Sequence, residues 1–167
     1  MKANILNLVL QRIAQGYEEQ FPHYEAMLKL ALEQETELQK EELDIDLLVE
    51  IINKRQEIID LIEEQSANMN QLKEEVCKTL GIERFVLSEI KEKVDSQGIQ
   101  ELDQVVGELS QLLQKIRALD QKNEEMLRQR INETKAKLTA VQNTKKANEA
   151  YMPKKTSSEG MFIDFSK

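Results

Sequence analysis

The stretch from Gly98 to Tyr151 constrains this chain more than any other. It contains no Pro, and Gly107 is its only Gly after the first residue. The pattern predicts one helix of roughly 50 residues, about 75 Å long at the usual rise per residue. In a chain of 167 residues such a helix cannot be covered on every side. It packs along part of its length and offers the rest to something else, which points to a binding protein.

Composition supports the helical reading. Aromatic residues are 4% of the chain, Trp is absent, and there are 5 Gly and 2 Pro. Sheets need turn residues and β-branched or aromatic faces, and few are supplied here. Hydrophobic residues at 40% are enough for a narrow core and argue against full disorder. The predicted fold class is all-α: an elongated antiparallel helical bundle or coiled coil with one long C-terminal helix.

Charge excludes several partners. The net charge is −8 and the pI about 4.9. Nucleic-acid affinity rests on clustered Lys and Arg, so no nucleic acid is expected, nor docking to anionic lipid. No apolar run approaches the roughly 20 residues that cross a bilayer, so no stable membrane insertion is expected. The N-terminal run Ile5-Leu6-Asn7-Leu8-Val9-Leu10 is broken by Asn7 and followed by Gln11 and Arg12, with no small-residue cleavage site after it. A single cysteine, Cys77, excludes an intrachain disulfide framework and fits a reducing compartment. The expected localisation is cytoplasmic.

Periodicity divides the chain into three parts: an amphipathic N-terminal extension at 1–20, a helical bundle domain at 21–150 and a flexible C-terminal tail at 151–167. In the first, residues 3–15 form a short helix with Ile5, Leu8, Val9 and Ile13 on one side. Gly16 and Pro22 then punctuate the chain, and Pro suits the first turn of a new helix over about 21–41. The acidic run Glu41-Glu42-Leu43-Asp44 is a corner, with Asp44 able to cap the next helix. That helix covers about 45–80, with Leu48, Ile51, Ile58, Ile62, Met69, Leu72 and Val76 at near-heptad spacing. Leu80-Gly81 is its stop. A short helix over about 83–94 turns Phe85, Val86, Ile90 and Val94 inward. In the long helix the apolar density falls: the first half has Leu102, Val105, Val106, Leu109, Leu112, Leu113, Ile116 and Leu119, the second only Met126, Leu127, Ile131, Leu138 and Val141. The second half lacks an evident partner within the chain. In the tail, Pro153, Ser157, Ser158 and Gly160 precede an apolar group at Met161, Phe162, Ile163 and Phe165.

No catalytic or cofactor chemistry is expected. A di-iron bundle needs Glu-x-x-His motifs from two helices, and the chain holds one His, His23, which reads as a solvated helix-end residue. There is no Gly-rich phosphate loop, no Cys-x-x-Cys and no Ser/His/Asp set. No metal, no cofactor and no enzymatic activity are assigned.

The remaining candidates lie along the seam. Asn123 falls where Leu109 and Ile116 place an apolar residue. It either sets register and partner choice or sits solvated at the edge of the stripe. Arg55 poses the same question, since its stem can lie on apolar surface with the head in water. Met69 reads as core, while Met126 sits where the core thins and suits a binding surface. Lys145, Lys146, Lys154 and Lys155 form a basic cluster. It either balances the C-terminal helix dipole or meets an acidic partner.

Three sets of residues carry a resemblance. Tyr24-Glu25-x-Met27-Leu28-x-Leu30-Ala31-x-x-Gln34 is followed by Leu47-Leu48-Val49-Glu50-x-x-x-Lys54-Arg55-Gln56-x-Ile58-Ile59. Then comes Ile116-x-x-Leu119-Asp120-x-x-Asn123-x-x-Met126-Leu127 and a tail with Tyr151 and Phe162-Ile163-Asp164. In order and spacing they resemble the FlgN-type flagellar export chaperones over about 21–165, with segment 1–20 departing from shorter members. The resemblance implies a cytoplasmic chaperone of bacterial flagellum biogenesis and type III protein export. Its partners would be hook–filament junction proteins, bound at their C-terminal helical regions, and the flagellar export gate. Joined to the thinning seam, it yields a client face of Leu119, Asn123, Met126, Leu127, Ile131, Leu138 and Val141. For Leu119, packing against the N-terminal helices is an equal reading. Tyr151 and the tail are candidates for gate docking. The competing expectation is a structural, self-associating coiled-coil protein whose seam pairs with itself in a homodimer.

Overall fold

The computed structural model describes residues 2–151. It holds four helices: α1 Lys2–Leu38, α2 Ile45–Leu80, α3 Leu87–Lys93 and α4 Gln97–Tyr151. No strand occurs among the described residues. The chain forms two compact units, one to Met126 and one from Leu127, with the division falling inside α4.

The expected break near Gly16 and Pro22 is absent, and the two helices anticipated over 3–15 and 21–41 are one. The reason lies in the seam of α1. Leu10, Ile13, Tyr17, Gln20, Tyr24, Met27, Ala31, Gln34 and Leu38 follow one another in alternating steps of three and four, the spacing of a heptad seam. Most are buried, and Tyr17 and Tyr24 are half-buried. Pro22 stands on the opposite, exposed side. The carbonyl that loses its helical donor, that of Glu18, belongs to an exposed residue. Gln20 is fully covered and is held by α2: its Nε2 donates to Ser66 Oγ at 3.0 Å and to the Ile62 carbonyl at 3.4 Å. Gly16 makes room for the Met69 side chain, which a Cβ at that position would strike. His23 therefore sits inside a helix, half-buried with its Nε2 3.4 Å from Gln65 Nε2, and not at a solvated helix end.

The corner forms as its residues require. Asp44 caps α2, its carboxylate accepting from Leu47 N–H at 3.1 Å. Glu37, nearly covered on the last turn of α1, reaches across. It accepts from Lys40 Nζ at 2.6 Å and from Asp44 N–H at 2.9 Å. The Lys40 hydrogen bond, followed by the Asp44 N–H, holds its carboxyl below the usual carboxylate range. A carboxylate depressed on folding contributes stability above its ordinary pKa and loses it as pH falls through the folded value. Thermal midpoints measured from neutral to acid pH are thus expected to fall less steeply for Glu37→Gln than for wild type. An unchanged slope would remove Glu37 from the corner.

Gly81 ends α2 with φ of 67°, the left-handed conformation that favours glycine, and its N–H returns to the Cys77 carbonyl. The short helix is α3, narrower than the expected span 83–94. Ile90 on it is fully covered, Phe85 and Val94 are partly so, and Val86 faces out, contrary to expectation. A core cluster joins Leu10, Ile13 and Ala14 of α1, Val76 of α2, Ile90 of α3, and Ile99 and Leu102 of α4. The start of α4 presses closely on α1. Gly98 N–H donates to Asn7 Oδ1 at 2.7 Å, and a Cβ on Gly98 would stand 2.6 Å from the Asn7 carbonyl oxygen.

Candidate functional site

Within the unit ending at Met126, α4 lays Leu102, Leu109, Ile116 and Asn123 inward at intervals of seven. Its apolar positions meet α1 and α2, and the series ends on a polar residue. Asn123 is 1% exposed, and its Nδ2 donates to the Ala31 carbonyl of α1 at 2.9 Å. Neither the solvated reading nor a place on an open client face survives. The amide is spent on a backbone oxygen inside the packed unit. Its Oδ1 is buried without a hydrogen-bond partner among the described residues. Such an atom costs on the order of 1–3 kcal/mol, so Asn123 serves alignment of α4 on α1 more than stability.

A polar bracket sits one turn earlier. Arg55 of α2 donates through Nη1 to Gln34 Oε1 at 3.1 Å and through Nη2 to Asp120 Oδ2 at 2.8 Å. Nη1 also lies 2.8 Å from Asp120 Oδ1. The head of Arg55 thus faces inward and ties three helices at one level, and does not snorkel to water. Lys122 and Glu35 add a pair at 3.1 Å between α4 and α1. Leu119 and Met126 are half-buried beside these groups.

In the unit from Leu127 the pattern differs. Leu127 is half-buried, while Ile131, Leu138 and Val141 are 42%, 50% and 64% exposed. At 3.6 residues per turn these four positions fall on one face of the helix. From Asn132 to Ala150 every residue is exposed. Tyr151 is the last residue of α4, and its side chain, like residues 152–167 with Lys154, Lys155 and the apolar group at the end, lies outside the described residues.

The seven candidates therefore divide. Asn123 is internal, Leu119 and Met126 belong with the packed part of α4, and Leu127, Ile131, Leu138 and Val141 form the open stripe. The sequence reading missed a second stripe, Ile45, Val49 and Ile52 on α2, although its spacing of four and three was a visible signal. The acceptor for Asn123 had no such signal, because it is a main-chain oxygen.

These features define a helical interaction protein: a polar-aligned bundle with apolar positions on its helices left uncovered. The chain belongs to the FlgN protein family, whose model matches residues 1–159. That family is one of flagellar export chaperones, so this is a chaperone of flagellar protein export. The match begins at residue 1, so it takes in the 1–20 segment that the resemblance left outside. No curated protein and no solved structure matches the chain. No helix among the described residues is long and apolar enough to cross a membrane.

Proposed function

We propose that this chaperone binds the C-terminal helical segments of hook–filament junction proteins in the cytoplasm. It keeps them from assembling early and passes them to the flagellar export gate. The observation that carries this reading is the exposed stripe Ile131, Leu138 and Val141, with Leu127 at its near end, on a helix lacking cover there. An amphipathic helix of the client lies along such a stripe as in other helix-in-groove complexes. The stripe is suited to several related clients, since exposed aliphatic positions without buried polar partners impose shape and little hydrogen-bond selectivity. Tyr151, at the end of the same helix, is the residue assigned to gate docking.

Mixing the pure chaperone with a hook–filament junction protein tests this. A one-to-one complex is expected, and none with a junction protein lacking its C-terminal helical region. Equal binding of the shortened client overturns the proposal. Replacing Tyr151 by Ala should leave that complex intact and weaken its capture by the cytoplasmic part of the gate. Undiminished capture removes Tyr151 from the docking contact.

A further inference from the structure

The distal half of α4 follows a heptad of its own. Leu127, Ile131, Thr134, Leu138 and Val141 succeed one another in steps of four and three, the spacing of the two inner positions of a coiled coil. Thr134 fits among them, because its Oγ1 donates to the Arg130 carbonyl at 2.9 Å and needs no outside acceptor. The positions that border this line are, in successive heptads, Arg128 and Arg130, then Lys135 and Lys137. All of them are basic, in a protein whose net charge is −8. The opposite side carries Gln129, Asn132, Ala136, Thr139 and Asn143, none of them charged.

Solubility alone does not require that distribution. A helix exposed from Asn132 to Ala150 needs charge, but charge on the far side would serve as well. Here the lysines stand where the flanking residues of a partner helix come within reach, at the positions that choose partners in coiled coils. Lys135 and Lys137 are exposed and hold no ion pair among the described residues. Arg128 and Arg130, one heptad earlier, already interact within the chain. Of the carboxylates in this segment, Glu133 lies beyond Lys137, away from the apolar line, and Glu149 lies past its end. Laid on a second copy of itself, the line would set lysine against lysine.

We infer that the helix taken along α4 is an acidic one: an amphipathic client helix whose apolar line is bordered by Asp and Glu, selected by Lys135 and Lys137. The inference rests on the reading that this stripe binds a client, and adds which helices it accepts and which it refuses. Ile131, Leu138 and Val141 suit any aliphatic line of the right spacing. The lysines discriminate, since a carboxylate set opposite them is attracted and a cation is repelled. They also speed the encounter with an acidic segment, an effect that salt screens.

The test titrates the full-length chain with two synthetic helical peptides of equal length and identical apolar positions. One carries Glu at every bordering position and the other Lys, so each repels its own kind. The Glu peptide should bind at least about tenfold more tightly than the Lys peptide, with the gap closing in high salt. Lys135→Glu/Lys137→Glu should abolish the preference, and Lys135→Gln/Lys137→Gln should reduce it. Both lysines are exposed, so helix content by circular dichroism should match wild type. Equal affinity of wild type for the two peptides overturns the inference, as does a preference undiminished in the Lys135→Glu/Lys137→Glu variant. Binding of neither peptide overturns it too, whether the face is then found to hold phosphatidylglycerol vesicles, a second copy or the chain's own last residues. A junction protein that binds wild type and the Lys135→Glu/Lys137→Glu variant equally, yet is lost with Ile131→Asp/Leu138→Asp, refutes the part given to the lysines and leaves the client reading standing. A Glu-peptide preference in a chain that binds no junction protein does the reverse.

Discussion

Replacing Leu102 by Ala is expected to destabilise the unit ending at Met126 by about 2–5 kcal/mol. Leu102 is fully covered, and its neighbours in the cluster, Leu10, Ile13, Val76 and Ile90, are fully covered too. They come from three other helices, so no single side chain can swing in to fill the space, and the cavity term stays large. The thermal midpoint should fall by on the order of 10 °C. Leu138→Ala makes the same chemical change at a half-exposed site and should alter stability by no more than about 0.5 kcal/mol. Urea unfolding followed by helix signal compares the two. A Leu102→Ala variant as stable as wild type would mean that the first turns of α4 do not belong to the core.

Much of this arrangement could be read from the residues, and the largest failures share one cause. The extent of α4, the capping of α2 by Asp44 and its arrest at Gly81 all follow from short-range rules, which depend on a few adjacent residues. The thinning of the seam after Met126 was equally plain, being a matter of apolar spacing. The errors arose where polar residues occupy seam positions. Tyr17 and Gln20 interrupt the aliphatic pattern of α1, so Gly16 and Pro22 read as a boundary. Yet Gln20 is satisfied by Ser66 and Ile62 in another helix, 46 and 42 residues away, and the seam passes through unbroken. His23 was misplaced with it. Asn123 and Arg55 are the same case. Their roles depend on Ala31, Gln34 and Asp120, partners that periodicity does not specify. Hydrophobic spacing identifies which face is inward, but a buried polar group needs a particular mate, and that mate is known only once the helices are laid together.

The double variant Ile131→Asp/Leu138→Asp is expected to lose binding to the junction protein while keeping its fold. Each aliphatic side chain of this size contributes about 1.5–3 kcal/mol when buried, and two of them on the order of 3–6 kcal/mol before ordering costs. The aspartates do more than remove that gain. They would have to be stripped of water against an apolar client, which is costly unless they remain in water. Affinity should therefore fall by at least about a hundredfold. Most of the loss should appear as faster dissociation, since the stripe acts after encounter and not in steering. The fold should survive because both residues are already 42% and 50% exposed. Leu32→Asp, at a site 47% exposed on α1, is the matched control and should leave client affinity unchanged. Titration calorimetry of the three proteins with one client decides the matter. A folded double variant that binds as tightly as wild type would place the client elsewhere, and equal losses for Leu32→Asp would show that added charge alone, at any site, weakens the complex.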